Sequence, residues 1–187
     1  QYTYDANAEY IENNAGHLES RSVTARFGLE FANSDQFTVD ANANYEGLLR
    51  PFSVATGVAI PAGGYGFNDV VMRYQAGQQR RASGSLTYQA GQFYNGTIQA
   101  VTLSGARVSI TPQLSVEPSV SVNHVELPVG TFTAQVLRAR TDFAFTPRMF
   151  AGGLVQYSSS DRTFSSNLRF RWEYRPGSEV FVVYTDC

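Results

Sequence analysis

The chain has 187 residues, a formal net charge of −2 and 16% charged side chains. That length suffices for one domain, and that charge predicts neither a nucleic-acid partner nor a polybasic membrane anchor. Lysine is absent, so all 14 basic residues are arginine, and 11 Tyr and 13 Phe stand where an ordinary core would use more Leu, Ile and Met.

Alternation of polar and apolar residues, punctuated by turn residues, predicts eleven strands in one all-β domain over 1–187. The first, Gln1–Ile11, sets Tyr2, Tyr4, Ala6, Ala8 and Tyr10 against Asp5, Asn7 and Glu9. The second, Arg21–Phe31, sets Val23, Ala25, Phe27 and Leu29 against Arg26 and Glu30. Beyond Asn33-Ser34-Asp35, a third strand sets Phe37, Val39, Ala41, Ala43 and Tyr45 against Asp40, Asn42, Asn44 and Glu46. Arg50 to Gly66 reads as a long loop, with Gly63-Gly64-Tyr65-Gly66 as a flexible turn.

The fourth strand, Phe67–Gly77, sets Val70, Met72 and Tyr74 against Asp69, Val71, Arg73 and Gln75. The fifth sets Leu86, Tyr88 and Ala90 against Ser85, Thr87 and Gln89. In the sixth, Thr97–Ile110, neither face is cleanly apolar, and Gly105 predicts a bulge that shifts the alternation. The seventh sets Leu114, Val116, Val120 and Val122 against Ser115, Glu117, Ser119, Ser121 and Asn123, with a bulge expected at Pro118. The eighth, Phe132–Phe145, opposes Leu137, Ala139, Thr141 and Phe143 to Arg138, Arg140 and Asp142. The ninth, Met149 to Tyr157, contains Gly152-Gly153. The tenth has the clearest period: Phe164, Leu168, Phe170, Trp172 and Tyr174 oppose Asn167, Arg169, Arg171 and Glu173. A last apolar strand runs from Val180 to Tyr184.

Tight connections at 33–35, 79–82, 111–113, 146–148 and 175–178 alternate with looser ones at 12–20, 50–66, 93–96, 126–131 and 158–162. This predicts an antiparallel up-and-down transmembrane β-barrel, or part of a larger one, with short periplasmic turns and longer outer loops. On that rule the first strand runs outward. Tyr10, Phe31, Phe37, Tyr45, Phe143, Phe145, Trp172 and Tyr174 lie near the ends of apolar faces, as interfacial girdles do.

Periodicity alone fits a soluble barrel equally well, because an apolar face serves a core or a lipid surface. Absent lysine, an apolar face mixing Ala, Gly and Thr with aromatics, and balanced Arg and Asp/Glu on the other face favour the membrane. No run nears the ~18 apolar residues of a membrane helix. The chain opens on a strand without a leader, which predicts a processed or excised segment.

The expected lumen lining is Arg26, Glu30, Asp40, Glu46, Asp69, Arg73, Arg107, Glu117, Arg138, Arg140, Asp142, Arg169, Arg171 and Glu173. Most of these read as arginine–carboxylate pairs holding strand register, or as a permeation lining. Arg138, Arg140, Arg169 and Arg171 are expected to concentrate positive charge and favour anionic solutes. His17 and His124 read as unrelated residues near outer loops; His124 with Asn123 and nearby serines is the place to test for catalysis. No Gly-x-Ser-x-Gly elbow, metal spacing or phosphate loop is present, and lone Cys187 closes the chain. Catalytic residues, metal and cofactor are therefore expected to be none, and the expected partners are the lipid bilayer and further barrel strands or a partner chain.

Four stretches carry a resemblance: Arg50-Pro51-Phe52 through Ile60-Pro61-Ala62-Gly63-Gly64-Tyr65, the run Gly77 to Leu86, the run Leu114 to Ser119, and above all Asn167 to Tyr184. They resemble the C-terminal region of an uncharacterised bacterial family whose members carry an N-terminal domain similar to a family-nine carbohydrate-binding module. An outer-membrane-type barrel follows that domain. The resemblance spans most of the chain and implies a bacterial outer-membrane location, with no activity to transfer to any residue. No sugar-binding-like domain is visible here, and the family's further strand with a terminal aromatic residue is missing. The resemblance thus implies a piece of a larger barrel, as does the odd strand count. The functional expectation is a structural or pore-forming outer-membrane barrel segment. Its alternatives are an outer-membrane barrel enzyme with a site near the outer rim, and a soluble lipocalin-like binding protein.

Overall fold

The computed structural model describes residues 1–13, 16 and 18–186. Thirteen strands and no helix are found among them. They are β1 (Tyr2–Glu12), β2 (Leu18–Glu30), β3 (Gln36–Leu48), β4 (Phe52–Ala55), β5 (Val58–Ile60), β6 (Gly63–Ala76), β7 (Ala82–Phe93), β8 (Gly96–Ser109), β9 (Leu114–Leu127), β10 (Gly130–Thr146), β11 (Met149–Ser158), β12 (Thr163–Arg175) and β13 (Ser178–Asp186). Eleven form one sheet in chain order, from β1 at one edge to β13 at the other, while β4 and β5 pair separately. The paired strands β1–β2, β2–β3, β3–β6, β4–β5, β10–β11, β11–β12 and β12–β13 are antiparallel, and the described residues include no β1–β13 pairing.

The eleven expected strands match the sheet's eleven, but the span 50–66 is corrected. It contains the β4–β5 hairpin around Thr56-Gly57, with Gly57 at φ 77°. Gly63-Gly64-Tyr65-Gly66 is the start of β6, paired with Glu46 to Leu48 and Tyr45, and is not a flexible turn. The long-against-short alternation of connections also fails. Tyr94–Asn95 and Pro128–Val129 are two-residue turns on the side expected to be looser. Ladder hydrogen bonds continue through Gly96-Thr97 and Gly130-Thr131, because a ladder is made by backbone and does not need apolar side chains.

The chain divides into two compact units: 1–75, 86–101 and 122–133 make the first, and 76–85, 102–121 and 134–187 the second. In the first, register sets one apolar row after another across β1, β2, β3 and β6. Tyr4, Phe27, Val39 and Met72 share a row, and Ala6, Ala25, Ala41 and Val70 the next. The opposite face carries Asp5, Arg26, Asp40 and Val71, then Asn7, Thr24, Asn42 and Asp69. In the second unit, Phe143, Ala151, Phe170 and Val182 share a row, whereas Asp142, Gly152, Arg169 and Val183 share a row on the other face.

The apolar rows cover nothing. Val23, Met72, Leu86, Leu137, Leu168, Trp172 and Val182 are all exposed, in a chain whose buried hydrophobic residues are few. Phe143 and Phe145 meet edge to face at 4.5 Å, and Trp172 lies 6.1 Å from Tyr174. The buried apolar cluster sits elsewhere: Val58, Ile60, Tyr94, Val125 and Leu127, with Tyr65, Phe67 and Phe132 against them. Tyr65 and Phe67 are on the face of Glu46 and Asn44, so this cluster caps part of the polar face. Its hairpin supplies Ile60, whose full burial is worth about 1.5–3 kcal/mol.

At Gly105 the φ is +57°, and the alternation changes hand there. Thr102 meets Ser121, so even-numbered residues of β8 face the polar side before the glycine. After it Arg107 and Ser109 line a groove with Arg140 and Asp142. β9 runs uninterrupted through Pro118.

Candidate functional site

Two polar surfaces and one rim cluster hold the chemistry. The first surface lies on the first unit. Arg26 grips Asp40 with both arms of its guanidinium, Nε to Oδ1 at 2.6 Å and a terminal nitrogen to Oδ2 at 2.8 Å. Residues 26 and 40 are opposite each other in register, so the pair is fixed by strand alignment. Asp69 is buried, yet no arginine reaches it. Asn42, Asn44 and Gln89 donate side-chain amides to it at 3.1, 3.2 and 3.0 Å. Glu46 accepts the Tyr94 hydroxyl at 2.7 Å. Arg73 donates to Thr87 at 3.4 Å, and Glu30 is exposed opposite Gln36.

The expectation of arginine–carboxylate pairing therefore holds at Arg26–Asp40 and is replaced by neutral donors at Asp69 and Glu46. A carboxylate is satisfied by any well-placed donor, and here amides and a phenol supply it. Among the described residues, every buried side-chain nitrogen or oxygen has a partner. Tyr94, at φ 52° in its turn, packs on Tyr65, Phe67 and Phe93 with centroids at 5.4, 5.2 and 4.8 Å. Burial first, and the Glu46 carboxylate second, push its phenol well above the usual tyrosine range.

The second surface lies on the second unit and is richer in arginine. A groove of about 700 Å³ is lined by Arg107, Arg140, Arg169 and Arg171, with Asp142 as the one carboxylate. A neighbouring hollow brings Arg107, Arg138 and Arg140 around Glu117. Arg140 Nε pairs with Asp142 at 3.1 Å along its own strand. Arg169 Nε donates to Asn167 at 2.8 Å, and Arg171 Nε to Glu179 at 3.0 Å. Glu173 instead accepts the Gly177 amide of the following turn. Arg107 and Arg138 make no ion pair among the described residues. Gly152 keeps the floor open, since a Cβ there would sit 3.1 Å from an Asp142 oxygen. Phe150 and Phe181 flank Arg171 in register, on the face that also carries Arg169 and Val183.

The rim cluster is on β9 and β10. His124 Nδ1 lies 2.8 Å from the Thr133 hydroxyl, and Nε2 lies 3.2 Å from Glu126. Among the described residues, its ring nitrogens face Thr133 and Glu126 in place of the Asn123 and serine partners expected. His17 and Cys187 lie outside the described residues. Among the described residues, no group of three or more His, Cys, Asp or Glu is placed to hold a metal.

The sequence reading missed Tyr94, Asn42, Asn44, Gln89, Glu179 and Thr133. Glu179 was findable: residues 171 and 179 come within reach once the Pro176-Gly177 turn is closed as a hairpin. The Tyr94–Glu46 contact joins residues far apart in sequence and carries no local signal. Comparison with known proteins finds no matching family model, curated protein or solved structure.

Proposed function

We propose that this chain is an outer-membrane β-barrel protein or barrel segment, structural or pore-forming, with its polar Arg/Asp/Glu face toward a water-filled lumen. The observation that carries the reading is the exposure of the apolar rows. Side chains such as Phe164, Leu168, Trp172 and Val182 cover no core, and contiguous apolar surface of that extent calls for a nonaqueous neighbour. Strand length agrees, because β2, β3 and β12 have 13 residues and a crossing needs about 9–11. In lipid an open sheet edge leaves backbone groups unbonded, so β1 and β13 are closed on each other, on further strands of a longer chain, or on a partner chain. The resemblance to the outer-membrane-type barrel region supports the same location. The test is recovery from bacterial membranes, followed by planar-bilayer recording. Heat-modifiable mobility in detergent with steady conductance is expected; a monodisperse detergent-free protein would sink the reading.

One observation favours a second reading, an enzyme near the outer rim. The Thr133–His124–Glu126 arrangement places a hydroxyl, an imidazole and a carboxylate in a row. Hydrolysis of short-chain aryl esters that disappears in His124→Ala would support it. Equal rates in the two proteins would remove it.

A further inference from the structure

We propose that the arginine groove of the second unit binds an aryl anion: a carboxylate or phosphate monoester carried on a flat aromatic body. The inference deepens the polar-lumen reading above and rests on that face being wet. Its starting point is a mismatch on that face. Phe150 and Phe181 stand on either side of Arg171 on the face that carries Asp142 and Arg169, and both rings are exposed. With Val183 beside Phe181 on the same face, these exposed rings offer an apolar wall next to the arginines.

The charge beside that wall is unbalanced. Four arginines line the groove against Asp142 alone. Glu179 engages both Nε and a terminal nitrogen of Arg171, which leaves that residue as a spacer between the rings. Arg140 is held by Asp142. Among the described residues Arg107 has no ionic partner, and Arg169 spends only its Nε on Asn167, which leaves its terminal nitrogens available. Both line the groove, and each offers a forked donor, free of a carboxylate, of the kind that grips a carboxylate or phosphate. Gly152 contributes no side chain to the floor, and the volume of about 700 Å³ suits a small ligand. An anion therefore sits toward Arg107 and Arg169, with its ring toward Phe150 and Phe181.

Titration calorimetry on the protein in an uncharged detergent tests this with phenyl phosphate, inorganic phosphate, phenol and dihexanoyl phosphatidic acid as probes. Phenyl phosphate should bind about tenfold or more tighter than inorganic phosphate, since stacking a ring adds to the ionic contact. Phenol should give no measurable heat. The double variant Arg107→Gln/Arg169→Gln should abolish binding. Phe181→Ala should bring phenyl phosphate down to the level of inorganic phosphate and leave inorganic phosphate unchanged. Phosphatidic acid binding as tightly as phenyl phosphate would assign the groove to lipid headgroups and overturn the aryl assignment. Equal affinity for the two phosphates, unmoved by Phe181→Ala, would overturn it as well. Conductance without binding would remove this site and leave the barrel standing. Binding by a detergent-free soluble protein would remove the barrel and leave the site.

Discussion

The polar faces of the two units grow from the same two-residue period and end in different states. In the first unit, buried Asp40 and Asp69 and half-buried Glu46 are matched: Asp40 by Arg26, Asp69 by three amides, Glu46 by a phenol. An apolar hairpin then covers part of that face. In the second, arginines outnumber carboxylates, stay exposed, and border open volume. Alternation sets which side a residue is on, but the residues that break the pattern set what that side does. Asn42, Asn44, Gln89 and Tyr94 close the first face. Gly152, Phe150 and unpaired Arg107 leave the second open. The first face is closed by its own side chains, and the second is left open.

The contrast breaks most sharply at the hairpin. Ile60→Ala removes the one large side chain that is fully buried among the described residues, at a cost of about 2–5 kcal/mol to the capping cluster. Limited proteolysis should then cut within 50–62 many times faster than in the parent, while the β10–β13 ladder keeps its resistance. A parent-like cleavage rate would show that the cap does not depend on this packing. Next in size is Asp69→Ala. It strands Asn42, Asn44 and Gln89 amides, and unmet buried donors cost about 1–3 kcal/mol. A lower midpoint of heat-modified gel mobility is expected. Asp69→Asn, which keeps an acceptor, should recover part of the loss.

Tyr94 sharpens the same point through pH. Its phenol is held neutral in the folded chain by burial and by Glu46, so its ionisation lies above that of an unfolded tyrosine near 10. The stability it contributes is complete below about pH 10 and falls as pH climbs beyond, because only the unfolded chain ionises readily there. Tyr94→Phe should cost about 1 kcal/mol near neutrality and flatten that alkaline decline. A variant with the parent's alkaline profile would detach the effect from this residue.

Much of the architecture was legible because period and turn chemistry are local. All eleven sheet strands, the side assignment of Arg26, Asp40, Arg140 and Arg169, and the shift at Gly105 follow from spacing and from glycine's access to positive φ. The β4–β5 hairpin was hidden by its length. Val58–Ile60 is too short to show a period, although the Thr56-Gly57 turn was a signal. The partners on the polar faces were hidden for another reason. A carboxylate's need for donors is legible, but which donor arrives depends on register between strands distant in sequence, as with Tyr94 and Glu46.

The smallest stability effects belong to exposed charge, and they separate the two faces. Arg26→Gln breaks a pair whose arginine is 45% exposed, so solvent screening holds the loss to about 1 kcal/mol or less. Arg138→Gln in the second unit removes an arginine with no ionic partner among the described residues and should change stability by no more than about 0.5 kcal/mol. If the chain is the pore proposed above, its consequence lies in permeation. Removing one positive charge from a lining that holds Arg107, Arg138 and Arg140 around Glu117 weakens attraction for anions. The reversal potential under a salt gradient should move toward cation preference in Arg138→Gln and stay at the parent value in the double variant Arg26→Gln/Asp40→Asn, which removes a neutral pair as a whole. Equal shifts in both variants would mean that the two faces share one electrostatic role, and the division drawn between them would fail.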